Sequence, residues 1–182
     1  LMTHNLAGIG ALGVKRLVAT CPSCYKTWKS VYPPAEFDIL HATQMLLALM
    51  EEGRIAPAHP PAISRKPGAS GPLRVTYHDP CDLGRKAGVY DPPRQIIARL
   101  PGVELVEMVN NRSLSTCCGG GGNMESLEPE LSAAIADSRL AQAQAVGAEV
   151  IVTACQQCQR TLNMAARRNK VRLPTMDVGQ IL

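Results

Sequence analysis

The sequence predicts an α/β fold of two small, pseudo-repeated lobes with mainly parallel sheets, the first of them incomplete. Three observations carry that prediction. Short apolar, β-branched runs alternate with helical stretches, the pattern of strands joined through helices and laid parallel. Prolines and glycines punctuate the alternation at the places where helices must start and stop. A unit of glycine, strand, C-x-x-C and helix also occurs twice, 134 positions apart.

In order, Gly13 to Thr20 reads as a short buried strand that runs into Cys21-Pro22-Ser23-Cys24. Pro22 suits the first turn of a helix, which continues to Val31 and is stopped by Pro33-Pro34. Phe37 to Leu40 is a brief extended piece, and His41 to Glu52 a buried helix ended by Gly53. The proline-rich stretch that follows has no apolar period, so residues 56–72 read as a surface linker. Leu73 to His78 is the next strand, and Asp79-Pro80-Cys81-Asp82-Leu83-Gly84 a turn carrying a cysteine. Pro92-Pro93 opens a helix through Leu100, and Val103 to Met108 alternates like a strand. Asn110 to Ser115 is a polar loop leading into Cys117-Cys118. Leu127 to Val146 is the longest helix, ended by Gly147; Glu149 to Thr153 is a strand, and Gln159 to Asn169 a helix. Val171 to Met176 is a last strand, with a helix starting at Asp177.

The repeat pairs Gly13 with Gly147, Val18 with Val152, Cys21 with Cys155, Cys24 with Cys158 and Thr27 with Thr161. With a further shift of two, residues 40–46 (LHATQML) resemble residues 176–182 (MDVGQIL). The expected organisation is therefore the C-terminal part of a first domain at 1–55, the linker at 56–72, and a complete second domain at 73–182. The chain begins at Leu1 with no basic region leading into an apolar run, so the expectation is a cytoplasmic protein whose N-terminal portion is missing.

Composition narrows the function. The formal charge of +4 is mild, and one Phe and one Trp offer almost no surface for base stacking, which argues against nucleic-acid partners. The longest apolar stretch, Met45 to Met50, is far too short to span a bilayer. Seven cysteines are an odd number, and two C-x-x-C pairs are among them. In a chain without a secretory signal such cysteines point to metal or redox chemistry rather than to a disulfide framework.

The chemistry-bearing stretch is Thr116-Cys117-Cys118-Gly119-Gly120-Gly121-Gly122-Asn123, with Cys81 before it and Cys155/Cys158 after it. Adjacent cysteines are poorly placed to form a disulfide with each other, but adjacent thiolates can bind neighbouring atoms of a metal cluster. Each C-x-x-C sits where a strand hands over to a helix. That is the ligand edge of an open α/β sheet, beside a helix N-terminus that favours thiolate; a reactive thioredoxin-like pair would use the same placement. Five thiolates on three segments are one more than tetrahedral zinc takes, and soft sulfur in that number suits an iron–sulfur cluster. Backbone N–H groups from Gly119 onward could then bond its sulfides, and Arg85, Lys86 or Arg112 could offset its charge. The glycine run lacks the Lys-Ser/Thr of a phosphate loop. Gln156 and Gln157, between two cysteines, are candidate donors to sulfur.

The pattern Cys81, Cys117-Cys118-Gly119, Cys155-x-x-Cys158 resembles the cysteine-rich CCG domain, found in heterodisulfide reductase catalytic subunits (B/D-like) and in related iron–sulfur subunits of glycolate, lactate and glycerol-3-phosphate oxidation systems. Residues 78–85 (HDPCDLGR), 88–94 (GVYDPPR) and 101–108 (PGVELVEM) also look like the family. The resemblance implies that Cys81, Cys117, Cys118, Cys155 and Cys158, with Gly119 and Gly120 alongside, hold a non-cubane [4Fe–4S] cluster. It implies that Cys21 and Cys24 belong to the first domain's site, holding a second cluster or a zinc if upstream residues supply ligands. His78 and Asp79 become candidates for proton donors. The implied partners are redox subunits (a flavoprotein, a ferredoxin-like or a membrane cytochrome subunit, which would bring any membrane association) and a thiol or disulfide substrate. Two functions follow, an oxidoreductase subunit reducing a disulfide and a pure electron relay of a respiratory dehydrogenase. A zinc-stapled interaction domain is the alternative from another class.

Overall fold

The computed structural model describes residues 1–57, 59, 61, 63, 65, 68 and 70–182. The linker expected at 56–72 lies in part outside these residues. The described residues form two parallel sheets. The first contains β1 (Arg16–Ala19) and β2 (Asp38–His41), joined through α2 (Pro22–Ser30), with Ala19 opposite His41 at the carboxyl end. The second has the order β4-β3-β5-β6, from β3 (Leu73–His78), β4 (Val103–Leu105), β5 (Val150–Thr153) and β6 (Thr175–Asp177). All its neighbours are parallel, with His78 opposite Thr153 and Thr153 opposite Asp177. Every residue of β5 is buried, as a strand covered on both faces must be, which is why it reads as a continuous apolar run rather than an alternation.

The repeat is visible in three dimensions. The unit β1–α2–β2–α3, where α3 is Ala42–Glu51, has the same order as β5–α7–β6–α8, where α7 is Gln156–Arg168 and α8 is Val178–Ile181. Both short connections from strand to helix are capping boxes. His41 accepts from the backbone of Thr43 while Gln44 reaches back to His41, and Asp177 accepts from Gly179 while Gln180 reaches back to Asp177. The likeness of residues 40–46 to 176–182 is therefore the likeness of two helix starts. Gly13 and Gly147 both take positive φ just after a helix, the backbone conformation that favours glycine.

The helix ended by Gly13 is α1 (Met2–Ala11), which the sequence reading leaves unassigned. None of its residues is buried, so no apolar face announces it. At the spacing of 134 it lies opposite the second half of α6 (Pro129–Ala145), with Leu6 matching Leu140 and Ala11 matching Ala145. Helix α6 starts at Pro129, after the single turn of α5 (Met124–Leu127), because proline suits the first helical position. Helix α7 starts at Gln156, earlier than expected, because the C-x-x-C is itself its first turn. Strand β4 stops at Leu105 and β6 begins only at Thr175, after Pro174.

The core lies on the two faces of the larger sheet. One cluster joins Ala19, Tyr25 and Ile39 of the first unit to Val75, Tyr77, Val152 and Val178, and to Ile96 and Ile97 of α4 (Asp91–Ala98). The two units thus share apolar packing. The other cluster fills the space between Ile151 and the helices α6 and α7, with Leu140, Ala143, Leu162 and Ala165. Among the described linker residues, Ile63 packs against the first cluster and Arg65 pairs with Glu149 at 2.8 Å.

Candidate metal centre

Strands β3 and β5 are neighbours, and the chain leaves them in opposite directions across the sheet. This is a topological switch point, and crevices at the carboxyl ends of such strands are where open α/β sheets bind ligands. Cys81 lies three residues beyond β3 and Cys155 two beyond β5. The loop after β4 crosses back and delivers Cys117 and Cys118. A cavity of about 270 Å³ opens there, lined by Cys81, Cys117, Cys118, Cys155 and Cys158, together with Gly120, Gly121 and Gly122. All five expected cysteines of the second lobe face one space.

The local construction explains how each is held. Cys155 is the N-cap of α7 and Cys158 lies in its first turn. The thiol of Cys158 donates to the Cys155 sulfur, and the backbone N–H groups of Cys158 and Gln157 do the same, so Cys155 is held as a thiolate with its pKa lowered to about 6. At the adjacent pair, Cys118 and then Cys81 donate to Cys117, pulling its pKa down to about 2. The same contact pushes Cys118 up to about 12 and Cys81 higher still. Gly119 N–H donates to the Cys117 sulfur at 3.3 Å and Gly120 N–H to the Cys118 sulfur at 3.5 Å. The glycine amides thus serve the cysteine sulfurs directly.

Gly119 and Gly120 are glycines for a second reason. A Cβ on Gly119, at φ +87°, would stand 2.5 Å from the Ser132 carbonyl, and one on Gly120 would stand 2.0 Å from Thr161 Oγ1. The loop is pressed against α6 and α7, and that packing excludes side chains. Open space lies instead at Gly121 and Gly122, where a Cβ would meet nothing within 4 Å.

The expected helpers around the cavity have other partners. Gln156 donates to the Thr20 carbonyl and Gln157 to Thr161 Oγ1, so neither side chain is on a sulfur. Arg85 donates to the Ser115 carbonyl, Lys86 pairs with Asp82 at 2.7 Å, and Arg112 with Asp91 at 2.6 Å. Asp79 is enclosed in an ion-pair network. Arg94, itself buried, grips it with two bonds of 2.7 and 2.8 Å and grips Glu107 with two more, while the Arg112 backbone N–H also donates to Asp79. That bonding makes Asp79 an anchor for the turn before Cys81. His78 is fully buried; burial above all, then the charge of Arg139, drives its pKa down to about 3, so the ring is neutral.

Two features of the surroundings escaped the sequence. Arg139 is 0% exposed and donates to His78 Nδ1. It lies on the buried side of α6 with Ser132, Ala136, Leu140 and Ala143, mostly small residues that scarcely mark a face in the sequence. The second is the first lobe's approach to the cavity. Pro22 and Ser23 line it, and Ser23 Oγ donates to Asp82 at 2.5 Å. No periodicity predicts a contact between side chains so far apart in the chain.

Cys21 and Cys24 are placed differently. They flank Pro22 and Ser23 at the start of α2 but do not line the cavity. The Cys21 contact raises the Cys24 thiol pKa, and among the described residues neither belongs to any group of three potential ligands.

The cavity fits a polynuclear cluster better than one ion. Among the described residues the only set of three ligand atoms lying within 4.8 Å of one another is His78, Cys118 and Cys158, whereas five sulfurs surround the cavity. A single ion would draw four ligands to one centre; sulfurs spread round a larger space suit several metal atoms bridged together.

The fold and site define a class, an α/β domain with a thiolate-rich crevice at its switch point. Residues 75–163 match the cysteine-rich (CCG) domain family, and this stretch of the chain is a domain of that family. It is 34% identical over 167 residues to a component of the dihydromethanophenazine:CoB–CoM heterodisulfide reductase of Methanosarcina acetivorans, covering 89% of this chain and 38% of that protein. It is 30% identical over 193 residues to the EtfAB:quinone oxidoreductase of Syntrophomonas wolfei, covering 100% of this chain and 26% of that protein. It is 30% identical over 149 residues to a component of the fumarate reductase (CoM/CoB) of Methanothermobacter marburgensis, covering 81% and 27%. The chain spans about two fifths or less of the length of these relatives. All three are named as oxidoreductases or as subunits of reductases. No helix among the described residues is long and apolar enough to cross a membrane.

Proposed function

We propose that this chain is an iron–sulfur redox subunit of the heterodisulfide-reductase type, with a non-cubane [4Fe–4S] cluster held by Cys81, Cys117, Cys118, Cys155 and Cys158. The observation that carries the reading is the convergence of these five cysteines, from three segments, on one cavity at the β3/β5 switch point. When bound, such a group supplies one-electron redox chemistry at sulfur. For a disulfide, two electrons from a partner subunit and two protons from solvent give two thiols. The residues of the chain have simpler tasks. Cys155 and Cys117 are already stabilised as thiolates, chiefly by the thiols of Cys158 and of Cys118 and Cys81, with backbone amides of the helix and the glycine run adding to it. The Asp79–Arg94–Glu107 network fixes the turn that presents Cys81, and Gly121 and Gly122 leave the mouth of the cavity open.

An electron relay is a second reading, favoured by the similarity to a quinone oxidoreductase that spans the whole chain. In it the same cysteines hold the same group, electrons pass between a flavoprotein or ferredoxin-like donor and a membrane cytochrome or quinone, and no thiol binds. A cytoplasmic setting, where thiols stay reduced, suits seven free cysteines. We further propose residues 1–55 as the C-terminal part of a first CCG domain, 56–72 as the linker, and 73–182 as the second CCG domain. Cys21 and Cys24 would then hold metal only with ligands from elsewhere. Iron and sulfide analysis with electron paramagnetic resonance of the oxidised chain tests the proposal. Iron with matching sulfide, and a signal that changes on adding a thiol, is the expected result. A signal indifferent to thiol favours the relay, and equimolar zinc without iron overturns both.

A further inference from the structure

Arg139 is a buried cation whose direct partners are all neutral. Its Nε donates to His78 Nδ1 at 3.0 Å, its Nη1 to the Asn110 carbonyl at 2.7 Å and to Gln142 Oε1 at 2.8 Å, and its Nη2 to Ser115 Oγ at 3.1 Å. The carboxylate whose charge acts most on it, Asp79, already binds both Nη groups of Arg94. A guanidinium keeps its protons in proteins, and a buried charge demands compensation. Close to the His78 ring stands sulfur. A ring nitrogen of His78 and the sulfurs of Cys118 and Cys158 are all within 4.8 Å of one another.

The contact with Arg139 also decides what His78 can be. Its Nδ1 must accept, because the guanidinium has only donors. The ring proton of the neutral imidazole therefore sits on Nε2. The nitrogen left free is a donor and has no lone pair to give a metal. His78 completes a three-residue group that looks like a metal site by distance, but its tautomer is the wrong one for ligation.

We infer that Arg139 locks His78 as an N–H donor to the sulfur-rich centre, and that Arg139 itself is the buried counter-charge of the anionic cluster. This rests on the cluster reading given above. Both are positioning residues, and neither ligates the metal. A hydrogen bond to ligand sulfur and a nearby fixed cation each favour the more negative, reduced state of a cluster, and so raise its potential.

The experiment has two arms. In iron-free protein, nitrogen-15 resonances of the His78 imidazole report the tautomer directly. Nε2 protonated and Nδ1 unprotonated is expected; the opposite tautomer overturns the lock. In iron-loaded protein, midpoint potentials are compared for wild type, Arg139→Lys, Arg139→Gln and His78→Gln. Arg139→Gln is expected to shift the potential to more negative values, and Arg139→Lys, which keeps the charge, to recover most of that shift. A merely structural Arg139 would leave the potential unmoved in any variant that folds, which overturns the counter-charge role. Should Arg139→Gln fail to fold, Arg139→Lys, His78→Gln and pulsed resonance on nitrogen-15-labelled wild type still decide the roles. A weak His78 nitrogen coupling is expected, and a strong one, as from a ligated imidazole, overturns the donor role. A chain that takes up no iron overturns the cluster reading and the counter-charge together, and the iron-free spectrum still decides the tautomer.

Discussion

The two C-x-x-C motifs are built alike and surrounded differently. In each, a strand ends, a cysteine caps the following helix, and a second cysteine lies in its first turn. Each continues to a parallel strand and a capping box. Yet Cys155 and Cys158 meet three further cysteines in a cavity, whereas Cys21 and Cys24 have only each other among the described residues. The difference lies in what stands beside the strand. Strand β5 has β3 as a neighbour, and the turn after β3 and the loop after β4 bring Cys81, Cys117 and Cys118. Among the described residues, strand β1 is paired with β2 alone. A C-x-x-C is thus a local construction, and a thiolate-rich site is a tertiary one.

The largest expected effect breaks that comparison at the cysteines. Cys117→Ser or Cys118→Ser should remove most of the bound iron, because each withdraws a sulfur from the middle of the set. The double variant Cys21→Ser/Cys24→Ser should keep it. Iron content per chain and the visible spectrum measure both. Full iron in Cys117→Ser would refute the five-cysteine assignment, and iron loss in the double variant would show that the first motif shares the centre.

Next in size is the ion-pair network beside Cys81, which has no counterpart at Cys21 among the described residues. Arg94 binds Asp79 and Glu107, lies over the Tyr77 ring at 5.0 Å, and is buried with Asp79. Removing one partner of a buried pair strands the other charge, at a cost of about 3–5 kcal/mol. Arg94→Met should therefore lower denaturant stability by about that amount, while a first-lobe surface pair such as Arg16–Asp38, exposed and 3.5 Å apart, should be nearly silent when broken.

The glycine run offers a contrast within a few residues. Gly120→Ala drives a methyl into Thr161 and should destabilise by about 1–3 kcal/mol, the usual cost of overpacking. Gly121→Ala meets nothing and should be close to neutral. Thermal unfolding of the two variants distinguishes a loop shaped by helix packing from one shaped by the cavity alone, in which case the two would behave alike.

Much of this was legible before the structure. The strands, the helix after each C-x-x-C and the pairing of His41 with Asp177 follow from local signals: apolar runs, prolines at helix starts, and capping residues. So do the five cysteines as a set, because thiolates have few other uses in such number. What escaped is tertiary or lacks a pattern. Helix α1 buries nothing, so it has no stripe to read. Arg139 hides in an alanine-rich helix whose small buried residues scarcely mark a face. Gly119 and Gly120 were legible as glycines but not as packing glycines, since the atoms that exclude a Cβ lie on helices later in the chain.

The smallest prediction tests whether the two capping boxes behave as twins. Their caps differ in chemistry, His41 in the first lobe and Asp177 in the second. His41 accepts the Thr43 N–H through Nδ1, which requires a neutral ring, and burial lowers its pKa from 6.5 to about 4. A group whose folded pKa is depressed in this way favours the fold only while neutral. Its contribution is therefore intact above pH 6.5 and drains away as pH falls toward 4. Between pH 7 and pH 5 the loss is on the order of 2 kcal/mol, from the size of the shift. Asparagine also caps helices well and does not titrate. His41→Asn should accordingly flatten the fall in stability between pH 7 and pH 5, measured by urea unfolding at each pH. An unchanged slope would mean that the acid sensitivity resides elsewhere and that the two caps, despite their different side chains, are equivalent.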